Sequence, residues 1–365
     1  MNQRLQNLAQ WLQQQDIEAA FITSTPNVFY VSSFQCEPHE RLLGLFVFQE
    51  KEPILICPNM ETAQARNAGW EYEIIGYSDT DNPWAMISNS LQARGIKGQT
   101  IAIEKEHLNI ERYEQVLSLF PNASFVAAEA KLHELRLIKD EKELTILRQA
   151  AYMADLAVEI GVNEIQEGKT EMEILATIEY ELKKKGISKM SFDTMVLTGA
   201  NSALPHGNPG TNQIQSGDFV LFDLGVVIDG YCSDITRTVA FGDITDEQKR
   251  IYNTVLTAEQ QAVEACKPGT PLNVLDRTAR SIIEQAGYGQ YFPHRLGHGL
   301  GISVHEYPSV TDANSSLLQE GMVFTIEPGI YVPSVGGVRI EDDVYITANG
   351  VEVLTKYPKE LQIIK

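Results

Sequence analysis

Two stretches of this sequence place an acidic residue inside a run that otherwise has the character of a buried β-strand. In the stretch from Gly321 to Asp343, Glu327 follows Val-Phe-Thr-Ile and precedes Pro-Gly, so we expect it at the last position of a strand. Burying a carboxylate is costly unless a partner compensates its charge. Glu327 is therefore a candidate functional residue.

A hairpin after Glu327 is predicted to return the chain toward a second acid. On the return strand, Arg339 and Glu341 share one face, because side chains alternate along a strand. We expect the Arg339 guanidinium to hold the Glu341 carboxylate in place.

The same pattern occurs earlier in the chain, in the stretch GDFVLFDLGVVIDGYCSDITRTVAFG. Asp223 stands there at the position that Glu327 occupies in the later stretch, and each of these acids is followed two residues later by a glycine. A second acid, Asp234, then follows as Glu341 follows Glu327. The two stretches therefore carry two acids each.

The segments before the two stretches, 168–186 and 269–287, have equal lengths and open with helix-start signals. Thr170 and Glu173 form a capping box, and Thr270 followed by proline is typical of an N-cap with proline in the first turn. We infer an internal duplication of a helix-and-strand unit. Two copies are too few for a solenoid, so we predict a domain with two-fold pseudosymmetry.

The charge balance excludes two classes of partner. The chain has 29 Lys and Arg residues against 49 Asp and Glu residues, a net charge of -20, and no Lys/Arg cluster stands out. A nucleic acid or an anionic membrane surface is therefore not an expected partner.

The sequence predicts a cytoplasmic protein. The N-terminal segment has an amphipathic helix pattern, with Leu5, Leu8 and Leu12 on one face, but no apolar signal core, and no run approaches the length of a membrane span. The cysteines lack CxxC pairing, so we interpret them as buried thiols rather than as disulfides or zinc ligands. They are Cys36, Cys57, Cys232 and Cys266.

The length of 365 residues predicts two domains. Residues 1–127 alternate helix and strand patterns, which indicates an α/β domain with a mixed sheet, and they contain no glycine-rich phosphate loop. A long helical pattern opens the second domain, 128–365. Between apolar strands of the first domain, the 35–41 loop concentrates charge at Glu37, His39 and Arg41; a substrate-binding lid and a solvated turn are both open interpretations.

Histidines complete the candidate site. His294, His298 and His305 lie between the two pairs of acids, and His206 lies in a glycine- and proline-rich loop before the Asp223 strand. Four clustered carboxylates would repel one another, so two divalent cations bridged by the acids, with at least one imidazole ligand, suit the set. Structural zinc sites use thiolates, which this set lacks.

The order and spacing of these residues resemble the pita-bread metallopeptidases, which include prolidases, aminopeptidases P and methionine aminopeptidases. The resemblance rests on five residues that match metal ligands and on two histidines: Asp223, Asp234, His298, Glu327, Glu341, His206 and His305. It implies an α/β N-terminal domain followed by an α+β pita-bread catalytic domain. Prolidases and aminopeptidases P have such an N-terminal domain, and methionine aminopeptidases usually lack it.

The resemblance implies a role for each metal ligand. Asp234 and Glu341 would bridge the two ions, and Asp223 would complete the coordination of one. His298 and Glu327 would complete the other. Oxygen-rich ligation favours Mn²⁺, with Co²⁺ or Zn²⁺ as alternatives.

Further residues are expected to act on the substrate. Glu327 resembles the proton-transferring glutamate of the family, and His206 and His305 resemble the pair that orients the peptide. Arg295 precedes the ligand His298 by three residues, so we expect it to bind the C-terminal carboxylate of a dipeptide; pairing with one of the many acids is the alternative. His39 and Arg41 are further substrate-binding candidates.

The predicted function is hydrolysis of the Xaa-Pro bond in dipeptides. The chain resembles the bacterial prolidases, which have this activity, in its length and in its 35–41 loop. One alternative is an aminopeptidase P that acts on longer peptides. The other alternative is a binding protein with the same fold and no activity. The presence of all five metal-ligand residues argues against it, because a binding protein does not need them. The family habit also implies a homodimer.

Overall fold

The computed structural model describes residues 2–365, which divide into two compact units, one ending at Arg136 and the other beginning at Leu137. Each unit has its own hydrophobic core. Within the described residues, no helix combines the length and apolar character needed to cross a membrane.

The first unit alternates helices and strands, as the sequence predicts. Its helices are α1 Gln3–Gln14, α2 Thr25–Ser32, α3 Thr62–Asn67, α4 Pro83–Ala93, α5 Ile110–Leu119 and α6 Glu129–Leu137, whose last residue begins the second unit. Its strands are β1 Ala19–Ile22, β2 Gly44–Phe48, β3 Ile54–Pro58, β4 Glu73–Tyr77, β5 Thr100–Ile103 and β6 Ser124–Ala127.

The six strands of the first unit form one sheet in the order β4-β3-β2-β1-β5-β6. Strand β1 runs antiparallel to β2 and parallel to β5, which confirms the mixed sheet. The central strands β1, β2 and β3 are buried along their whole length, and this explains their continuous apolar sequences. Helix α1 buries Leu5, Leu8 and Leu12, as its pattern predicts.

The second unit carries the duplicated pattern. Its helices are α7 Glu141–Asn163, α8 Glu171–Lys184, α9 Asp246–Glu264 and α10 Leu272–Gln285. Its strands are β7 Met195–Thr198, β8 Phe219–Leu224, β9 Val227–Ile228, β10 Tyr231–Cys232, β11 Ile235–Phe241, β12 Gly297–Gly299, β13 Glu306–Val310, β14 Val323–Ile326, β15 Gly329–Val332, β16 Gly336–Arg339, β17 Asp342–Thr347, β18 Gly350–Val353 and β19 Ile363–Ile364.

Two related sheets organise this unit. One has the order β19-β11-β8-β7 and the other β13-β12-β14-β17-β18, so the antiparallel set β7-β8-β11 corresponds to β12-β14-β17. Apolar side chains of α7 and α8 share a core with the first set, and those of α9 and α10 share a core with the second. The predicted pseudosymmetry of helix-and-strand units is therefore present in the fold.

Backbone hydrogen bonds repeat between the two halves. Gly168 N donates to Ile214 O at 2.8 Å, and Gly269 N donates to Leu318 O at 2.8 Å. Both glycines have a positive φ, 81° and 84°, which residues with a side chain rarely adopt. The matching glycines in the sequence therefore mark the same turn in each half.

The helix starts agree only in part with the sequence. Thr170 is the N-cap of α8 and forms the predicted capping box with Glu173. The prediction of an N-cap at Thr270 is wrong, because Pro271 is the N-cap of α10 and Leu272 is the first helical residue. Pro271 stays extended because it forms an antiparallel bridge with Leu317. The four cysteines are buried free thiols, as expected.

Candidate metal centre

Four acids of the second unit meet where the strands of its two halves end. Asp223 lies within β8, and Asp234 directly precedes β11. Glu327 directly follows the last residue of β14, so the strand ends one residue earlier than the sequence predicts. Glu341 lies between β16 and β17 rather than on the return strand as predicted, because β16 ends at Arg339, and it bridges to Thr236 of the first half.

A histidine joins these acids. Single oxygen or nitrogen atoms of Asp234, His298 and Glu341 lie within 4.8 Å of one another, and all three residues are buried. Nε2 of His298 is 3.7 Å from Oδ2 of Asp234 and 3.4 Å from Oε1 of Glu327. The residues expected from the sequence to be ligands therefore converge.

The orientation of the His298 ring suits metal binding. Its Nδ1 lies 3.1 Å from the carbonyl oxygen of Gly299, which can only accept a hydrogen bond. The proton therefore belongs on Nδ1, and Nε2 keeps its lone pair toward the acids. Burial and the nearby His305 lower the pKa of His298 to about 3, so the neutral form, which binds metals, predominates at neutral pH.

Arg339 contacts a different acid from the one predicted. Its guanidinium donates to the Asp223 carboxylate, and its Nε donates to Oγ1 of Thr236 at 3.0 Å. Thr236 in turn donates to Oε2 of Glu341 at 2.6 Å. Arg339 thus holds Asp223 directly and reaches Glu341 only through Thr236, because Glu341 lies beyond the strand on which the two residues would have shared a face.

A hydrogen-bonded chain extends from Arg339 to the histidine segment. Nη1 of Arg339 donates to the Tyr331 hydroxyl at 2.7 Å, and that hydroxyl lies 2.9 Å from Nε2 of His294. Nδ1 of His294 faces the Arg295 carbonyl at 2.8 Å, so Nδ1 carries the proton and Tyr331 donates to Nε2. Burial lowers the pKa of His294 to about 4, which keeps the ring neutral.

The buried acids create a strong negative potential. Burial and the Glu341 charge raise the pKa of Asp234, and burial and the Glu327 charge raise that of Glu341. Burial also raises the pKa of Glu327 to about 8, although Arg339 opposes the shift. Divalent cations between these carboxylates would remove the repulsion and favour the ionised forms.

Two carboxylate oxygens of these acids also point to a need for bound cations. Oδ1 of Asp223 and Oδ1 of Asp234 are buried and have no hydrogen-bond partner among the described residues. A buried carboxylate oxygen without a partner is costly unless something outside the protein binds it. The donor set, four carboxylates and one imidazole, therefore fits divalent cations with a preference for oxygen ligands.

A cavity of about 420 Å³ opens onto the acids. His206, His305 and Arg295 line it together with the predicted ligands. The ring centroid of His305 lies 4.1 Å from that of His298. Burial first, and then the Arg295 and His206 charges, lower the pKa of His305. The two histidines and the arginine are thus placed around one space beside the candidate ligands.

Arg295 lacks the acidic partner that the alternative interpretation requires. Its Nη1 donates to Oγ of Ser309 at 3.4 Å, and within residues 2–365 no carboxylate lies within 4.0 Å of its guanidinium. A cationic group that lines a cavity without a counter-ion is available to an anionic ligand.

His39 and Arg41 belong to the first unit. Nε of Arg41 lies 2.8 Å from Oδ1 of Asp79, and its Nη1 lies 3.2 Å from Oε1 of Glu40. His39 is exposed and has a φ of 54°. A substrate-binding role for these two residues stays a prediction.

Sequence reasoning did not find every residue of this centre. Thr236 donates to Glu341, and Tyr331 links Arg339 to His294, but neither Thr236 nor Tyr331 was singled out from the sequence. Thr236 could have been noticed, since it lies two residues after Asp234 on the same strand face. Tyr331 gives no such signal, because its hydroxyl also contacts His294, which lies 37 positions away in the chain.

Comparison with known families identifies both units. The profile described as metallopeptidase family M24 matches residues 145–348, and the profile of the creatinase/prolidase N-terminal domain matches residues 4–138. The first match includes all the predicted metal ligands, and the second spans almost the whole first unit.

Relatives match along nearly the full chain. A protein of Bacillus subtilis (strain 168), named "Putative dipeptidase YkvY", is 59% identical over 361 residues, which is 99% of each sequence. A prolidase from Pyrococcus horikoshii OT3 has 37% identity and a TM-score of 0.90, covering 99% of this chain and 100% of that one. An Xaa-Pro dipeptidase from Bacillus anthracis has 35% identity and a TM-score of 0.92, covering 99% of both chains.

Proposed function

The chain belongs to metallopeptidase family M24, and from this membership we propose that it hydrolyses the Xaa-Pro bond of dipeptides with two divalent metal ions. One observation carries the proposal: the predicted ligands converge beside a cavity that also holds an arginine without a carboxylate partner among the described residues. Relatives named prolidase and Xaa-Pro dipeptidase support it.

The protein would hold the ions with its four acids and one histidine. We infer that Asp234 and Glu341 would be shared by the two ions, that Asp223 would help to hold one of them, and that His298 and Glu327 would help to hold the other. When bound, two such ions polarise the scissile carbonyl and lower the pKa of a water molecule. Mn²⁺ is the favoured metal, because carboxylate oxygens dominate the set.

Glu327 is suited to proton transfer within this site. Its carboxylate lies at the cavity wall, and Thr325 donates to it at 3.4 Å. In the proposed reaction its oxygen takes a proton from the attacking water and passes it to the proline nitrogen as the bond breaks. Bound cations would favour the ionised form of this carboxyl, which is the form that accepts the water proton.

His206 and His305 orient the substrate in this proposal. Both line the cavity, and burial keeps His305 neutral at physiological pH by lowering its pKa. A neutral imidazole can donate one hydrogen bond to the carbonyl oxygen, where negative charge develops in the transition state. Displacing either ring would therefore slow the reaction more than it would weaken substrate binding.

Arg295 would select dipeptides. The carboxylate of a dipeptide lies one residue beyond the scissile bond, and the guanidinium can bind it with two charge-assisted hydrogen bonds. A longer peptide presents a neutral amide instead. The aminopeptidase alternative therefore differs from this proposal at one measurable interaction.

The proposal is tested by metal dependence and substrate choice. Purified protein should hydrolyse an Xaa-Pro dipeptide, lose activity on exhaustive chelation, and recover it with Mn²⁺ or Co²⁺ better than with Mg²⁺, which rarely takes imidazole. Replacing Asp223 or His298 with alanine should abolish turnover and reduce bound metal. Full activity after chelation would contradict the proposal.

A homodimer is the proposed assembly, on the basis of the family resemblance. Size-exclusion chromatography with light scattering would measure its mass directly. A monomer at micromolar concentration would contradict this part of the proposal and leave the reaction untouched.

A further inference from the structure

A buried carboxylate outside the metal centre binds a loop of the second unit. Glu171, the first residue of α8, is 0% exposed. Its Oε1 accepts from the backbone N of Thr198 at 2.7 Å and from Nδ2 of Asn201 at 2.9 Å. Its Oε2 accepts from the backbone N of Gly210 at 2.8 Å and from Nδ2 of Asn212 at 3.2 Å.

These donors lie on both sides of the loop that carries His206. Thr198 ends β7 and Asn201 opens the loop, whereas Gly210 and Asn212 follow it. Nδ2 of Asn201 also donates to Oε2 of Glu171 at 3.0 Å and to a carbonyl within the loop. One carboxylate therefore fastens the two ends of the 199–209 loop to each other and to the start of α8.

The second half of the unit shows that the fold does not need this carboxylate. Leu272 begins α10 as Glu171 begins α8, and it is also 0% exposed. Its backbone N donates to Ser316 O at 2.9 Å, just as Glu171 N donates to Asn212 O at 3.1 Å. The same backbone pairing thus forms around a leucine, so the charge at Glu171 serves the 199–209 loop rather than the helix start.

The loop has further restraints near His206, since Gly207 N donates to Leu204 O at 3.0 Å and Leu204 N donates to Asn201 O at 3.1 Å. Oγ of Ser202 accepts from the N of Gly337 at 2.9 Å, and Arg339 donates weakly to Pro205 O at 3.4 Å. The His206 side chain is exposed and makes no hydrogen bond to any residue in the range 2–365. Its position in the cavity is therefore set by the backbone of the 199–209 loop, whose two ends Glu171 holds.

We propose that Glu171 is a positioning residue, which fixes the 199–209 loop so that the His206 imidazole stays in the cavity. The inference rests on the proposed function, because it assumes that His206 acts on the substrate. Hydrogen bonds to an ionised carboxylate are stronger than those between neutral groups, and the placement of catalytic groups tolerates little displacement. Losing this contact should slow turnover without removing metal.

The test is Glu171→Gln in the full-length, metal-loaded protein. The substitution keeps the volume but turns an NH₂ group toward donors, so one end of the loop must detach. Hydrogen exchange measured by mass spectrometry should accelerate in peptides covering 198–210 and stay unchanged in 299–316, the corresponding region of the second half. The value of kcat for an Xaa-Pro dipeptide should fall about ten- to a hundredfold with bound metal unchanged.

A double-mutant cycle separates positioning from a general loss of structure. In a His206→Ala background, Glu171→Gln should cause little further loss of kcat, because the group it positions is gone. Glu173→Gln is the matched control, since this residue lies on the same helix and its carboxylate accepts hydrogen bonds, within residues 2–365, only from Thr170. The control should change neither exchange in 198–210 nor turnover.

Two results would overturn the inference: unchanged exchange in 198–210, or an equal loss of kcat with and without His206. If Glu171→Gln does not fold, Asn201→Ala can replace it, because this substitution removes the amide donors to Glu171. It should likewise accelerate exchange in 198–210 and lower kcat only when His206 is present. Failure of the proposed function would appear separately, as wild-type protein that does not cleave Xaa-Pro dipeptides, while the exchange experiment would still test whether Glu171 restrains the loop.

Discussion

Oγ1 of Thr236 donates to Oε2 of Glu341 at 2.6 Å, although 105 positions separate the two residues in the chain. The same oxygen accepts from Nε of Arg339 at 3.0 Å, and Arg339 also donates to Asp223. One hydroxyl therefore links an acid of the second half to the arginine that holds an acid of the first. The two halves of the centre are aligned through this side chain.

Replacing Thr236 with valine should weaken metal binding. Valine keeps the buried shape but removes both hydrogen bonds, so Glu341 loses its orientation. Losing a group that orients a metal ligand typically lowers metal affinity about 10- to 100-fold. Calorimetric titration of metal-free protein with Mn²⁺ measures the effect, and activity should recover in part at saturating metal.

The matched control for this prediction is Thr257→Val. Thr257 is exposed on α9, and its hydroxyl donates to the Asn253 carbonyl of its own helix. The Thr257→Val variant should bind Mn²⁺ as wild type does. Wild-type metal affinity in Thr236→Val would show that Glu341 is oriented by other contacts.

The sequence was sufficient to find the residues of the centre that repeat. Asp223 and Glu327 occupy matching positions in a duplicated pattern, and an acid in an apolar strand is visible without a structure. The alternation of helix and strand patterns in the first unit also predicted its mixed sheet, and helical patterns predicted the helices of the second unit. Such features depend on neighbours in the chain, which sequence periodicity records.

Contacts between the two halves could not be predicted in this way. Arg339 was assigned to Glu341 because a continuous strand would place both on one face, but the strand ends at Arg339 and the guanidinium turns to Asp223. Glu171 is hidden for the same reason, since its sequence indicates only a helix start. Residues whose partners lie far along the chain carry no local signal.

Metal-free protein should show a pH-dependent cost at Glu327. The folded-state pKa of this acid is raised from 4.5 to about 8, chiefly by burial. The folded state then binds the proton more tightly than the unfolded state, so Glu327 destabilises the fold increasingly as pH rises from 4.5 toward 8. Glu327→Gln should therefore raise the Tm of metal-free protein more at about pH 8 than at about pH 5.

Differential scanning calorimetry in the presence of a chelator measures this difference. Glu320→Gln, which neutralises an exposed acid of the same unit, is the control and should give a smaller dependence on pH. A Tm difference between Glu327→Gln and wild type that stays constant between about pH 5 and pH 8 would contradict this prediction. It would show that the ionised carboxylate of Glu327 does not destabilise the folded protein.

The 35–41 loop should influence the choice of substrate length. Replacing Glu37, His39 and Arg41 together with alanine should reduce the preference for a dipeptide over a tripeptide, if the loop acts as a lid. Asp79→Ala is a useful companion, since it removes one of the two acidic partners of Arg41 without changing the sequence of the loop. Unchanged kcat/KM for both peptides in the triple variant would favour a solvated turn.

Arg295→Ala should abolish discrimination for the free C-terminus. Among the described residues the guanidinium has only the Ser309 hydroxyl as a side-chain partner, at 3.4 Å, and it lines the cavity. Wild-type protein should therefore prefer an Xaa-Pro dipeptide over its C-terminal amide by roughly ten- to a hundredfold in kcat/KM, the value of a charged hydrogen bond of about 1.5–3 kcal/mol. The variant should treat the two substrates alike.

Two further variants make this comparison specific. Arg277→Ala removes an exposed arginine that pairs with Asp312, so it should keep the wild-type preference. Arg295→Lys keeps the positive charge but cannot form the two-pronged contact, and it should give an intermediate preference. If Arg295 binds the substrate carboxylate, its removal must reduce the preference for the free acid. An Arg295→Ala variant that prefers the free acid as strongly as wild type does would therefore show that another group binds the carboxylate.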